Sequence, residues 1–294
     1  MRFLNNPAIH VREWYEGIAV AILNGMAESV GEIRLIIDSS KIGFGHQLLM
    51  VTVAYRRRAI PLTWTWIRCS RGHSSAHKQL ALLSYVRGLL PKSTPVLLVG
   101  DSEFGSVDVL KTLKRWRWTY VLRQKGSHQI KLLGQRHWQR FDALITRPGQ
   151  SLWLGQGYLT YAHHFKVNLF AYWKTGEDEP WLLATNLSTP QATLAAYRRR
   201  MWIEEMFGDL KTHGFDLEKT HLRHFMRLSR LTLAVALLYV WLVAFGSHVI
   251  KTSIRYLVDR ADRRDLSIFR IGFRMIERRL TNGFDFSISF VLSG

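Results

Sequence analysis

Three acidic residues stand in settings that suit phosphate chemistry. Asp38 and Asp101 each end a run of strand-forming apolar residues, in "LIIDSS" and "LLVGDSEFGS", and each begins a polar turn. Carboxylates at the C-terminal ends of neighbouring strands sit where ligands bind in open α/β sheets. Brought close together they repel, and a divalent cation that prefers hard oxygen ligands relieves the repulsion. A third acid, Glu204, lies in "AAYRRRMWIEEMFGDLKTHGF", residues 195–215, which has a helical rhythm. Ile203, Met206, Phe207 and Leu210 form one apolar face of this helix. Tyr197, Arg200, Glu204 and Lys211, at offsets 0, 3, 7 and 14, share a stripe beside that face at about 3.6 residues per turn. Glu204 is therefore set against the core, whereas Glu205 is rotated toward solvent. Each aspartate alone also reads as a turn or helix-capping residue, and the charged helix as a solvated amphipathic face.

The elements that must position these acids follow from the pattern. Residues 8–30 read as a helix closed by a glycine. The period then shortens. "EIRLIIDSS", "HQLLMVTVAY" and "RAIPLTWTWIR" read as strands, and "SSAHKQLALLSYVRGLL" as a helix opened by a serine cap. "TPVLLVGDSEFGS" is a buried strand, "SVDVLKTLKRWRW" a helix and "TYVLRQKG" a further strand. This order predicts an α/β fold, a mixed sheet with helices packed on it. Residues 126–187 carry short β-rich runs between Gly, Pro and charged turns and read as a β-rich insertion. The chain reads as helical again from Thr189 to about residue 250, and residues 251–294 as a basic helical tail. The expected division is 1–30 helical, 31–125 with 188–250 as the main α/β unit, 126–187 inserted, and 251–294 C-terminal.

Composition narrows the partners. The 294 residues include 41 Lys and Arg against 22 acids, a formal net charge of +19. Such an excess calls for an anionic partner, either nucleic acid or an anionic membrane surface. The single cysteine, Cys69, cannot form an internal disulfide and argues against a Cys-based zinc site. This fits a reducing cytoplasm, and the first residues lack the apolar core of a signal peptide. Residues 231–250 contain no Asp, Glu, Lys or Arg and reach the ~20 residues that cross a bilayer; they read first as a buried core helix. His73 with His77, and His221 with His224, have helical metal-ligand spacing but no neighbouring glutamate in a hydrolase arrangement. "GFGHQ" lacks the lysine and spacing of a phosphate loop. The basic runs "RRR" at 56–58 and "KTLKRWRW" at 111–118 read equally as solvated faces and as nucleic-acid surfaces.

One resemblance is specific. In "YRRRMWIEEMFGDLK" the order tyrosine, two residues, arginine, three residues, glutamate, six residues, lysine resembles the signature of the DDE transposases of the insertion sequence 4 family. "LIIDSS" and "LLVGDSEFGS" resemble that family's two aspartate strands, and "PWLLATNL" the segment that enters its final helix. The resemblance covers residues from about 30 to 250. It implies a ribonuclease H-like fold with a β insertion ahead of the catalytic helix. It further implies cut-and-paste DNA transposition, with Asp38, Asp101 and Glu204 holding two magnesium ions, or manganese in their place. By the same resemblance Tyr197, Arg200 and Lys211 contact phosphates, Arg123 faces the DNA, and Trp181 takes up a flipped base. The implied partners are double-stranded transposon-end and target DNA and a second copy of the chain in a synaptic complex, in a prokaryotic cytoplasm at the nucleoid, with no membrane. Two positions and the front of the chain depart from the pattern. Glu103 stands where the family carries a small residue, which adds a fourth acid near the metals. Met201 directly follows the motif arginine, with Trp202 after it. Only about 30 residues precede the first strand, so an N-terminal DNA-recognition region is expected to be missing.

Two rivals stay in view. One is an inactive remnant that keeps the fold and binds DNA without cutting it. The other is a basic membrane protein anchored by residues 231–250.

Overall fold

The structure, a computed structural model, describes residues 2–43, 45–68, 73–211, 214–260 and 262–292. Cys69 and Phe44 of "GFGHQ" lie outside the described residues. After a short turn of helix, α1 (Arg2–Asn5), comes α2 (Val11–Val30), which buries Tyr15, Ala19, Ile22, Leu23 and Met26 on one face. It stops at Gly31, whose φ of 73° allows its N–H to bond Ala27 O and close the last turn. Three antiparallel strands follow, β1 (Ile33–Ile42), β2 (His46–Tyr55) and β3 (Arg58–Arg68). Pro61 is tolerated because β3 is an edge strand, and its carbonyl accepts the Tyr15 hydroxyl at 2.8 Å. Next come α3 (Ala76–Leu89), the fully buried β4 (Val96–Gly100), α4 (Val107–Arg115) and β5 (Thr119–Arg123). Ser106 caps α4 through its side chain, whereas Ser75, read as the cap of α3, makes no capping bond.

The remaining strands are β6 (Gln129–Leu132), β7 (Gln139–Arg140), β8 (Ser151–Leu159), β9 (Phe165–Tyr172) and β10 (Trp181–Thr185). Helices close the chain: α5 (Pro190–Tyr197), α6 (Met201–Leu210), α7 (Phe225–Lys251) and α8 (Ile268–Thr281). Ten strands among the described residues form one sheet of order β3-β2-β1-β4-β5-β10-β9-β8-β6-β7. β1 runs parallel to β4 and β4 to β5, with β2 and β3 antiparallel on the outer side. That is the ribonuclease H-like order. The β-rich stretch is no separate sheet: β10 pairs antiparallel with β5 and carries β9, β8, β6 and β7 outward from it.

Several details differ from the sequence reading. β1 does not end on Asp38 but continues to Ile42, because β2 keeps pairing it through Ile42↔His46. The helix read across 195–215 is two helices: Arg198–Arg200 form a tighter 3-10 turn between α5 and α6, and α6 ends at Leu210. The chain from Lys211 to His224 leaves the helix, with only a 3-10 turn at Leu217–Lys219 among its described residues. The basic C-terminal stretch is helical in α8, whereas residues 284–292 have no regular structure. One helix among the described residues, α7, is long and apolar enough to cross a membrane, and 67% of its most apolar window is buried against the rest of the chain.

Candidate active site

Parallel register brings the two aspartates together. The last pair between β1 and β4 is Ile37↔Gly100, so Asp38 and Asp101 are the next residues along both strands, on chains spaced about 4.8 Å apart. Asp38 is buried, and its Oδ1 accepts the Ser39 N–H at 2.8 Å. Asp101 opens the turn after β4, where the Phe104 N–H bonds back to its carbonyl. The third acid arrives on α6. Ile203, Met206, Phe207 and Leu210 are all buried, so the predicted apolar face docks this helix on β1 and β3. That docking does not set Glu204 against the core, as its stripe predicted: it stays exposed at the helix edge and meets Arg200, while Glu205 meets the largely buried Arg58 at 3.1 Å.

Arg200 joins the acids. Its Nη1 lies 3.2 Å from Asp38 Oδ2 and its Nη2 lies 2.5 Å from Glu204 Oε1, so one guanidinium holds both carboxylates. Burial pushes the Asp38 carboxyl up to about 7; Arg200 and the Ser39 N–H oppose the rise, and the charges of Asp101 and Glu204 add to it. For Arg200 burial acts downward, but Tyr197, Asp38, Glu204 and Asp101 outweigh it and raise the pKa. Asp38 and Glu204 thus meet on Arg200 and not on one another, and Asp101 faces a second arginine, Arg123. Among the described residues no three Asp, Glu, His or Cys side chains stand ready-made as a metal cage, the histidines at 73, 77, 221 and 224 included. The donor set nevertheless fits a hard divalent ion. It is three carboxylates, one deeply buried, and Asp101 Oδ1 is buried without a hydrogen bond.

The other predicted site residues divide. Arg123, at the end of β5, lies 3.7 Å from Asp101 and 2.8 Å from Glu179, and donates to Pro180 O at 3.2 Å. Trp181, the first residue of β10, is half-buried against Tyr172 and sits edge-on to Tyr197 at 5.0 Å. Both residues are therefore within the neighbourhood of the acids. Tyr197 is 2% exposed, so it offers no surface to a ligand in this structure, and its buried hydroxyl has no hydrogen-bond partner among the described residues. Lys211 leaves the stripe because α6 ends one residue before it; it pairs with Glu218 at 3.0 Å, away from the acids. Sequence reasoning missed Ser39, Gln47 and Ser74, which surround Glu103, and Glu179 opposite Arg123. The polar run "DSS" inside a strand was the signal for the first of these.

A sheet of ribonuclease H-like order, with two strand-borne acids and one helix-borne acid at a single edge, defines the class. A family model described as the transposase DDE domain matches residues 34–241, well over half of the chain, and the chain belongs to that family. No curated protein matches it. Among solved structures it is similar to the piggyBac transposase in a cryo-EM structure of its synaptic complex with hairpin DNA, at 13% identity and a TM-score of 0.44. The likeness covers 85% of this chain and 54% of that one, so the chain spans about half the length of that solved protein.

Proposed function

We infer that this chain is a DNA transposase that cleaves and transfers phosphodiester strands. The observation that carries the reading is Arg200 of the chain before α6 pairing with both Asp38 and Glu204, beside the neighbouring strand end that leads into Asp101, in a chain of the DDE domain family. The insertion sequence 4 signature around Arg200 and Glu204 supports the narrower class: cut-and-paste movement through end hydrolysis, a hairpin, its opening and strand transfer. Asp38, Asp101 and Glu204 are the residues to hold the metals, magnesium or its substitute manganese. Two such ions supply a nucleophile at neutral pH and stabilise the leaving oxygen.

This chain's own residues do the rest. Arg200 neutralises Asp38 and Glu204 by bridging them, and with these acids on metal its guanidinium would be free to take a phosphate. Arg123 does the same beside Asp101, held by Glu179. Trp181, with one side on Tyr172 and Tyr197, has an accessible part on which an extrahelical base stacks. The surplus cations bind duplex DNA through its phosphates, and a second copy of the chain completes the synaptic complex. The test is incubation of the protein with a plasmid that carries its gene and flanking repeats, in magnesium or in EDTA. Magnesium-dependent nicks at the repeat boundary, followed by joined products, are expected. Tight DNA binding without nicking at any metal concentration would identify an inactive remnant instead.

A further inference from the structure

Glu103 follows Asp101 by two residues, yet it does not face the other acids as a fourth ligand. Its carboxylate is fully engaged elsewhere. Oε1 accepts the Ser74 N–H at 2.6 Å and the Ser74 hydroxyl at 2.5 Å. Oε2 accepts the Ser39 hydroxyl at 2.7 Å and the Gln47 side-chain amide at 3.4 Å. Its backbone carbonyl accepts the Gln79 amide at 3.2 Å, and Gln79 also donates to Ser74. Among the described residues every one of these partners is uncharged.

The placement of the partners matters more than their number. Ser39 is the residue whose N–H holds Asp38 Oδ1. Ser74 lies just ahead of α3 and Gln79 in its first turn, Gln47 belongs to β2, and Glu103 itself to the turn that Asp101 opens. A single carboxylate therefore ties the turn carrying one acid to the strand residue that orients the other. Neutral donors hold it in a half-buried position, where losing the acceptor leaves several donors without partners. We propose that Glu103 is a positioning residue: through Ser39 and the turn at 102–104 it fixes Asp38 and Asp101 for metal, and it binds no metal itself. The proposal rests on the transposase reading for its purpose, but not for its geometry.

Three variants test it, read by manganese binding, hydrogen exchange and magnesium-dependent nicking. Outer groups that orient metal ligands typically change affinity by about 10- to 100-fold when removed. Glu103→Ala is expected to weaken manganese binding within that range, to speed amide exchange at residues 38–40 and 73–76, and to slow nicking at a temperature where it remains folded. Glu103→Gln, which keeps an acceptor for Ser74 and an amide for Ser39, is expected to rescue manganese binding to within a few-fold. Ser39→Ala cuts the link from Glu103 to β1, and with it the Gln47 amide's bond to that hydroxyl, but spares Ser74; it should weaken manganese binding while leaving exchange at 73–76 unchanged. Should Glu103→Ala not fold, the last two variants still decide. Equal loss of manganese in Glu103→Gln and Glu103→Ala, or loss of one bound ion in Glu103→Gln, makes Glu103 a ligand and overturns the proposal. Unchanged binding in Ser39→Ala overturns it too. A wild-type protein that binds manganese and obeys this pattern but never nicks DNA leaves the positioning role standing and removes the transposase reading.

Discussion

Asp38 sets the terms at the residue scale. It is a carboxyl taken out of water and placed beside two other acids, with one arginine to offset the cost. Its folded-state pKa, about 7, lies above that of an exposed aspartate near 3.9. The folded state therefore holds this proton more tightly than the unfolded chain. The resulting stability is present in full below about pH 4 and is lost as pH rises through about 7. In EDTA the protein should melt at a lower temperature at pH 8 than at pH 5.5. Asp38→Asn should remove that part of the slope, worth on the order of a few kcal/mol. Calorimetry across pH 5–8.5 checks this; parallel curves for the two proteins would refute it. A divalent metal that binds only the folded acids should reverse the loss. At a hundred times its dissociation constant it should add about 2.7 kcal/mol, and a melting temperature at pH 8 unmoved by magnesium or manganese would count against the site.

At the scale of elements, the close fit of α7 and α8 shows what packing demands. A Cβ added at Gly246 would lie 2.1 Å from Ile268 O, and one at Gly272 2.0 Å from Leu242 O. The two helices cross at backbone contact, and only glycine permits it. Gly246→Ala and Gly272→Ala should each destabilise the fold by about 1–3 kcal/mol or more, since α8 must shift to make room. Gly25, in the middle of α2, has open space where a methyl group would stand, with nothing within 4 Å. Gly25→Ala should be neutral or stabilise by up to about 1 kcal/mol. Thermal melts of the three variants check the contrast, and a Gly246→Ala protein as stable as Gly25→Ala would contradict the crossing. Sequence patterns reach this level only in part. β2 and β3 were legible to the residue because their strand-forming apolar runs stop at Gly45 and at the charged pair Arg56–Arg57. The docking face of α6 was legible because four apolar residues recur at helical spacing. The break at Arg198–Arg200 was not, since three arginines are good helix formers and nothing in the local pattern marks a change of helix. Nor was the fusion of β10 to β5, because strand pairing between distant segments leaves no local mark. Asp38 and Asp101 stood out from the apolar runs before them and Glu204 from its helical stripe; the uncharged side chains around Glu103 did not, because serine and glutamine carry no spacing that announces a partner 64 or 29 residues away.

At the scale of the molecule, charge and fold point the same way. A net charge of +19 spread over 294 residues makes association with a polyanion depend steeply on salt. If six to ten phosphates are contacted, affinity for duplex DNA should fall by roughly 10³–10⁵ between 50 and 200 mM salt. Fluorescence anisotropy over that range measures the slope, and a slope near zero would mean that the surplus cations do not touch DNA. The proposed chemistry depends on one acid of α6. Glu204 meets the arginine that holds Asp38, whereas its neighbour Glu205 meets Arg58 on the other side of the helix. Exchange of either carboxylate for an amide leaves the shape of the helix intact. The most direct measurement is magnesium-dependent cleavage of duplex DNA by Glu204→Gln and Glu205→Gln beside the wild type. Loss of a metal ligand that contributes several kcal/mol at the transition state should slow Glu204→Gln by about 10³-fold or more, with DNA binding retained. Glu205→Gln should cleave within a few-fold of wild type. Cleavage that survives in Glu204→Gln and vanishes in Glu205→Gln would contradict the assignment.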